Sequence, residues 1–296
     1  MTSDGLPVVP FTFLGLPTQS HTYEQASAVI LPVPYDGTAS FRSGAREGPE
    51  AIISASRELE DYDTELRCEP SSRGIHTAPA LEPDLGSPQA MGARITQAVK
   101  PVAMAGKLPV VLGGDHSVTI GAVKALLAVH SDLSVLYLDA HADFRDEYLG
   151  TRLGHASVAR RLAELCPVTL VGVRSMSLDE AKALDASDVR VVTTNPAEPG
   201  VSWDALVESL SGRVYVSIDL DVFDPSFMAA VGTPEPGGME WYDVLRLLRR
   251  VAERRRIVGF DVVEMTPREG PSACAYIAAK LVYKLIGYSV ALATEG

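Results

Sequence analysis

Cysteine is scarce in this chain of 296 residues: Cys68, Cys166 and Cys274 are odd in number, far apart and outside any C-x-x-C. That excludes a disulfide framework and a thiolate zinc site, and leaves reduced thiols in a cytoplasmic protein as the expectation. Basic charge is also short. Lys and Arg number 26 against 38 Asp and Glu, a formal net charge of −12. Nucleic acid, which needs a basic footprint, is thereby disfavoured, and a small cationic ligand is favoured. No membrane span is expected, since the most apolar late stretch, 273–293, carries Lys280 and Lys284 and reads as a packed helix. The start, Met1-Thr-Ser-Asp-Gly-Leu-Pro, lacks a basic region followed by an apolar one, so no signal peptide is expected. Internal repeats and low-complexity tracts are absent, and no glycine-rich stretch matches G-x-G-x-x-G or a Walker loop.

What remains is a chain with 46% hydrophobic residues, enough to bury a large core. Residues 1–26, rich in Pro, Gly and Thr, read as an irregular arm, and no composition break divides the rest, so 1–296 is taken as one domain. Short apolar runs at 28–31, 110–112, 134–139, 168–173, 189–192, 214–218 and 257–263 read as strands. Between them lie segments of helical period, opened by Pro49, by Ser87-Pro88 (with Pro101 a candidate kink) and near His155, Leu178, Trp203, Val244 and Pro271. Strands alternating with helices, and strands apolar throughout, indicate an α/β fold with a mainly parallel sheet covered on both faces. Ligands of such sheets bind outside the carboxyl ends of the strands.

The acids and histidines lie there. A run of apolar residues enters Asp139-Ala-His141-Ala-Asp143, and in an extended backbone a period of two places all three on one face. Alone, Asp-x-His-x-Asp is a weak string, as are Asp219-x-Asp221 and a single His116 after Gly113-Gly114. Together they make six nitrogen and oxygen donors with no thiolate, a set that suits Mn²⁺. Six ligands exceed the three protein ligands of a catalytic zinc and fit two cations sharing carboxylates. Without cations, four clustered carboxylates would repel one another strongly.

Three strings carry a resemblance: Gly-Gly-Asp-His-Ser (113–117), Asp-Ala-His-Ala-Asp (139–143) and Ser-Ile-Asp-Leu-Asp-Val-Phe-Asp-Pro (217–225). They are similar, in order, to the signatures of the ureohydrolases, the arginase and agmatinase family of binuclear manganese enzymes. The resemblance implies a three-layer α/β/α fold with about eight strands, and hydrolysis of a guanidino group to urea and an amine. It also implies that His116, Asp139, Asp143 and Asp219 hold one Mn²⁺, and Asp139, His141, Asp219 and Asp221 the other. His155 falls where the family keeps a proton-shuttling histidine, and Glu264 where it keeps the carboxylate that grips the guanidinium. A homo-oligomer, trimer or hexamer, is the family's habit. Arg174-Ser175-Met176-Ser177 departs from the arginases, whose acids there hold the substrate's α-amino group. Arg145-Asp146-Glu147-Tyr148, His155-Ala156-Ser157 and 232–238 resemble agmatinases instead. Agmatine is therefore the first expectation, aminopropylagmatine the alternative, and arginine or another guanidino acid comes after both.

Two other functions use similar residues. A two-metal phosphoesterase needs cations to clamp phosphate, and only Arg145 and Arg174 sit near the strand ends. A non-catalytic metal-binding relative would have no need of His155 or Glu264. The run Arg249, Arg250, Arg254, Arg255, Arg256 reads as a solvated or inter-subunit helix face rather than a nucleic-acid patch. Phe41, Arg42, Tyr148 and Phe227 are candidates to line the pocket.

Overall fold

The computed structural model describes residues 9–194 and 202–292. Eight strands form one sheet: β1 (Ala28–Val33), β2 (Ile75–Thr77), β3 (Leu108–Gly113), β4 (Leu133–Leu138), β5 (Val168–Val173), β6 (Arg190–Thr193), β7 (Arg213–Asp219) and β8 (Arg256–Val263). Their order is β2-β1-β3-β8-β7-β4-β5-β6, and every pairing is parallel. The chain steps from β3 to β4 across a gap that β7 and β8 fill later, and β8 alone joins β3 to β7. The carboxyl ends of β3, β8, β7 and β4 therefore stand side by side at the point where the winding reverses, where ligands of such sheets bind.

Both faces are covered because strand residues are apolar in both directions. Leu136, Leu138, Val216 and Phe260 join a core with α1 (Gly48–Ser56), α6 (Trp203–Ser209), α7 (Trp241–Arg254) and α8 (Ala273–Ala291). Val135, Tyr137, Val111 and Tyr215 point the other way, into a core with α2 (Pro88–Met104), α3 (Val118–Leu127), α4 (Val158–Ala163) and α5 (Leu178–Asp185). This is the three-layer α/β/α arrangement expected. The Ser87 hydroxyl caps α2 by accepting from the Ala90 N–H, as Ser87-Pro88 suggests, and the helix runs on past Pro101 to Met104. Among the described residues, only α8 is long and apolar enough to cross a membrane. It is packed instead, with Val282, Leu285 and Ile286 fully buried.

Two readings gain detail. Part of the arm lies outside the described residues (1–8), but Phe13, in a 3-10 turn over Phe13–Gly15, is fully buried in the first core. The arginine run keeps a partly solvated face and is tied down by surface pairs: Arg249 pairs with Glu65 and Glu253, and Arg250 and Arg254 with Asp204. Arg255 donates to the carbonyls of Glu208, Leu210 and Arg254. Guanidinium groups on a helix rim reach acids and carbonyls of adjacent segments, which helical spacing alone does not reveal.

Candidate metal centre

Four adjacent strand ends deliver the site. After β3 the chain turns through Gly114, where a Cβ would lie 2.1 Å from the Tyr35 carbonyl oxygen, so only glycine lets the loop pass and bring in His116. After β4 come Asp139 and His141, then Asp143 with φ of 48°. β7 ends at Asp219, and a 3-10 turn (Leu220–Val222) carries Asp221. β8 leads into Glu264, with φ of 64°. Two non-glycine residues in the left-handed region are backbone strain located at the site.

The carboxylates share one arrangement. Asp139 Oδ1 accepts from the His141 N–H at 2.6 Å, Asp219 Oδ1 from the Asp221 N–H at 2.8 Å, and Asp221 Oδ1 from the Ala140 N–H at 3.0 Å. Each Oδ2 then faces an imidazole. His116 Nδ1 lies 3.1 Å from Asp139 Oδ2 and 3.2 Å from Asp219 Oδ2, and His141 Nδ1 lies 2.9 Å from Asp221 Oδ2. Asp143 Oδ2 is 3.7 Å from His116 Nδ1 and accepts from the Tyr137 hydroxyl at 2.7 Å. Two groups thus have ligand atoms close enough for one ion: His116, Asp139 and Asp219, and Asp139, His141 and Asp221. Asp139 belongs to both.

The residues fit a cationic centre. Asp139 Oδ2 is buried and accepts no hydrogen bond, an orphan that costs free energy unless a cation meets it. Burial, followed by the charges of Asp221 and Asp139, pushes Asp219 well above the usual carboxylate range. Burial and Asp139 do the same to Asp143 and raise Asp221. Burial disfavours a charge on His141, yet Asp139 and Asp221 outweigh it and push its pKa up to about 12. Carboxylates pushed above their usual range beside an imidazole held charged mark a site short of positive charge, which a hard divalent ion on oxygen and imidazole would supply.

A cavity of about 340 Å³ opens over these residues, walled by His141, Asp143, Asp219 and Asp221 and by both expected reaction residues, His155 and Glu264. Glu264 Oε1 accepts from the His116 N–H at 2.7 Å. Burial, then Asp115, pushes Glu264 well above the usual carboxylate range. Burial pulls His155 below the ordinary imidazole value, against the opposing charge of Asp115. Phe41, Arg42 and Tyr148 line the cavity as expected. Phe227 does not: its ring packs edge-on against Phe223 at 5.4 Å, because the loop after Asp224 folds back on the apolar core.

Residues 26–287 match the model of the arginase family. The chain belongs to the arginase family. An N(1)-aminopropylagmatine ureohydrolase of Thermus thermophilus is 42% identical over 270 residues, 90% of this chain and 91% of that protein. An agmatinase of Pyrococcus horikoshii is 36% identical over 272 residues, 90% of this chain and 93% of that protein. The crystal structure of agmatine ureohydrolase of Thermoplasma volcanium superposes with a TM-score of 0.85 at 32% identity, covering 96% of this chain and 95% of that one.

Within this arginase-family framework, several contributors escape a motif reading. Tyr137 stacks on His116, ring centroids 4.3 Å apart, and its hydroxyl is 3.0 Å from His116 Nδ1. The period of two that aligns Asp139 with Asp143 also includes Tyr137, so the signal was there. His116 Nε2 lies 2.8 Å from Ser217 Oγ, which donates to the buried Asp261 at 2.7 Å, and Asp261 also accepts from Thr119 and Tyr215. This chain of bonds orients the His116 ring. Ser177 is the N-cap of α5, in a capping box with Glu180. The Ser-x-x-Glu pattern announces that box, and with it a carboxylate at the cavity wall that a comparison of positions 175 and 177 alone overlooks.

Proposed function

We propose that the protein is a two-manganese ureohydrolase acting on linear cationic guanidines of the agmatine type, giving urea and a polyamine. The observation that carries this is a pair of ligand groups, five residues in all, that share Asp139 with its orphaned Oδ2, with Asp143 beside them, beneath a cavity that holds both Glu264 and His155. His116, Asp139, Asp143 and Asp219 would hold one ion, and Asp139, His141, Asp219 and Asp221 the other. When bound, such ions supply hydroxide near neutral pH by lowering the pKa of water. Glu264 orients the guanidinium through charge-assisted hydrogen bonds, and its carboxylate has acceptor capacity beyond the one bond it makes to His116. His155, half-buried at the same wall, delivers the proton that the departing amine needs.

A phosphoesterase finds no free clamp among the described residues: Arg42, at the cavity wall, pairs with Glu269 at 3.0 Å. Arg174 is spent on backbone carbonyls of Gly172, Asp221, Val222, Phe223, Glu235 and Pro236. Arg145 stacks on Tyr148 at 4.9 Å and lies 3.7 Å from Glu180. Arginine is disfavoured because Glu180, which lines the cavity with Ser175 and Ser177, already accepts from the Phe144 and Ser177 N–H groups and the Ser177 hydroxyl. Between the favoured cations, the motif resemblance alone ranks agmatine first. The relative named for aminopropylagmatine is more similar than the one named agmatinase, and on that ground we place the longer cation ahead. Urea release by the manganese-loaded protein on agmatine, aminopropylagmatine and arginine tests this. We expect kcat/KM for the agmatine-type substrates to exceed that for arginine by at least ~10²-fold, since unpaired buried charge costs several kcal/mol. Arginine turned over equally well would end this reading of the substrate. The same reading includes a cytoplasmic homo-oligomer of three or six copies, which light scattering on the purified protein checks.

A further inference from the structure

The role given to His155 depends on which ring nitrogen carries hydrogen. Both nitrogens have hydroxyl neighbours: Nδ1 lies 3.4 Å from Thr38 Oγ1, and Nε2 lies 3.2 Å from Ser40 Oγ. Behind Thr38 sits Asp115, fully buried and one residue before a proposed metal ligand, yet absent from both ligand groups. Thr38 gives Asp115 Oδ2 two donors, its N–H at 2.8 Å and its hydroxyl at 2.9 Å. Ser117 gives Asp115 Oδ1 two more, its N–H at 3.1 Å and its hydroxyl. Asp115 thus uses both oxygens as acceptors, with two donors on each.

Thr38 Oγ1 has a single proton. A carboxylate oxygen at 2.9 Å takes it in preference to a neutral nitrogen at 3.4 Å. Toward His155 the hydroxyl then presents only lone pairs, and it accepts the His155 backbone N–H at 3.0 Å. A ring nitrogen facing such a lone pair is the protonated one. Ser40, whose hydroxyl can donate or accept, suits Nε2 both before and after it gains a proton.

We propose that Thr38 is a positioning residue: anchored on Asp115, its Oγ1 holds His155 in the Nδ1–H form and leaves Nε2 as the atom that takes up and delivers the proton. The inference rests on His155 being the proton donor of the proposed reaction. A purely structural Thr38 would only pin the loop, and its backbone N–H would do that in any variant.

The test uses the manganese-loaded protein with its better agmatine-type substrate, and compares Thr38→Val, Thr38→Ser, His155→Ala and the Thr38→Val/His155→Ala double variant, each with its metal content measured. Thr38→Val keeps the shape and loses the hydroxyl. It should lower kcat about 10- to 100-fold, less than the ~10²–10⁴-fold that the acid itself carries, with KM within about threefold and metal content unchanged. Thr38→Ser should stay within about threefold of wild type, and the double variant should be no slower than His155→Ala. Wild-type kcat in Thr38→Val, equal damage in Thr38→Ser, metal loss, or a further drop in the double variant overturns the inference while the proton-donor reading stands. Wild-type turnover in His155→Ala removes both.

Discussion

Two of the charge clusters among the described residues are built on opposite principles. On the α8 side, Lys284 meets Asp63 at 2.9 Å and also Glu65, while Tyr288 at 2.7 Å and Arg249 at 2.6 Å both donate to Glu65. Two acids face two cations, and Asp63 Oδ1 additionally accepts the Glu65 and Leu66 N–H groups. That cluster is closed. At the strand ends, four carboxylates face two imidazoles, and Asp139 Oδ2 accepts nothing. A cluster that supplies its own cation is finished when the chain has folded. One that does not is completed by something brought from solution, and its function depends on that deficit.

The comparison breaks most visibly at Asp139, the residue common to both ligand groups. Asp139→Ala should lose both ions together by metal analysis and bring urea release to background, whereas a variant that keeps one ion under excess manganese would argue against a shared carboxylate. Next in size is His155→Ala, which leaves the charge deficit intact: turnover should fall ~10²–10⁴-fold with substrate binding far less affected, as steady-state kinetics on the loaded protein would show. At the closed cluster the effect should move from activity to stability. Lys284→Met leaves the buried Asp63 without its cation, while Glu65 keeps Arg249 and Tyr288, and should cost roughly 3 kcal/mol in urea unfolding, with turnover per folded molecule unchanged.

The smallest effect sharpens the contrast through pH. Burial disfavours charge on Glu65, but its bonds to Lys284, Arg249 and Tyr288 outweigh that and hold its pKa down at about 2. A carboxyl depressed in the folded state adds stability that is fully present above its unfolded pKa and is lost as pH falls toward the folded value. The stability gap between wild type and Glu65→Gln should therefore narrow steadily from about pH 5 towards pH 2. A gap constant over that range would mean Glu65 contributes by packing alone.

The open cluster was legible in the sequence and the closed one was not, for a physical reason. His116, Asp139, His141, Asp143, Asp219 and Asp221 are unusual residues at the ends of apolar strands, so the periodicity that reveals the sheet also marks them as candidate ligands. Lys284 looked like an ordinary charge on a long helix, because its partners at 63 and 65 come from a loop over 200 residues earlier. The same limit hid Thr38 and Asp115 behind His155, and the acids that occupy the arginine run. Phe227 shows the converse: Asp221 before it and Gly232 after it reach the cavity, but its own ring turns into the core.

The place of β8 bears on how the protein comes into being. Until that strand is made, β2-β1-β3 and β7-β4-β5-β6 have no pairing between them, so His116 sits on one partial sheet while Asp139 and Asp219 sit on another. A chain emerging in order from the ribosome reaches residue 256 before the two parts can be fastened. The pairings that close the sheet join residues about 150 apart in sequence, Val110 with Phe260 among them, and contacts of that range form late. The group of His116, Asp139 and Asp219 therefore comes together only in the last act of folding, whereas Asp139, His141 and Asp221 can meet on the ends of β4 and β7 before β8 is made.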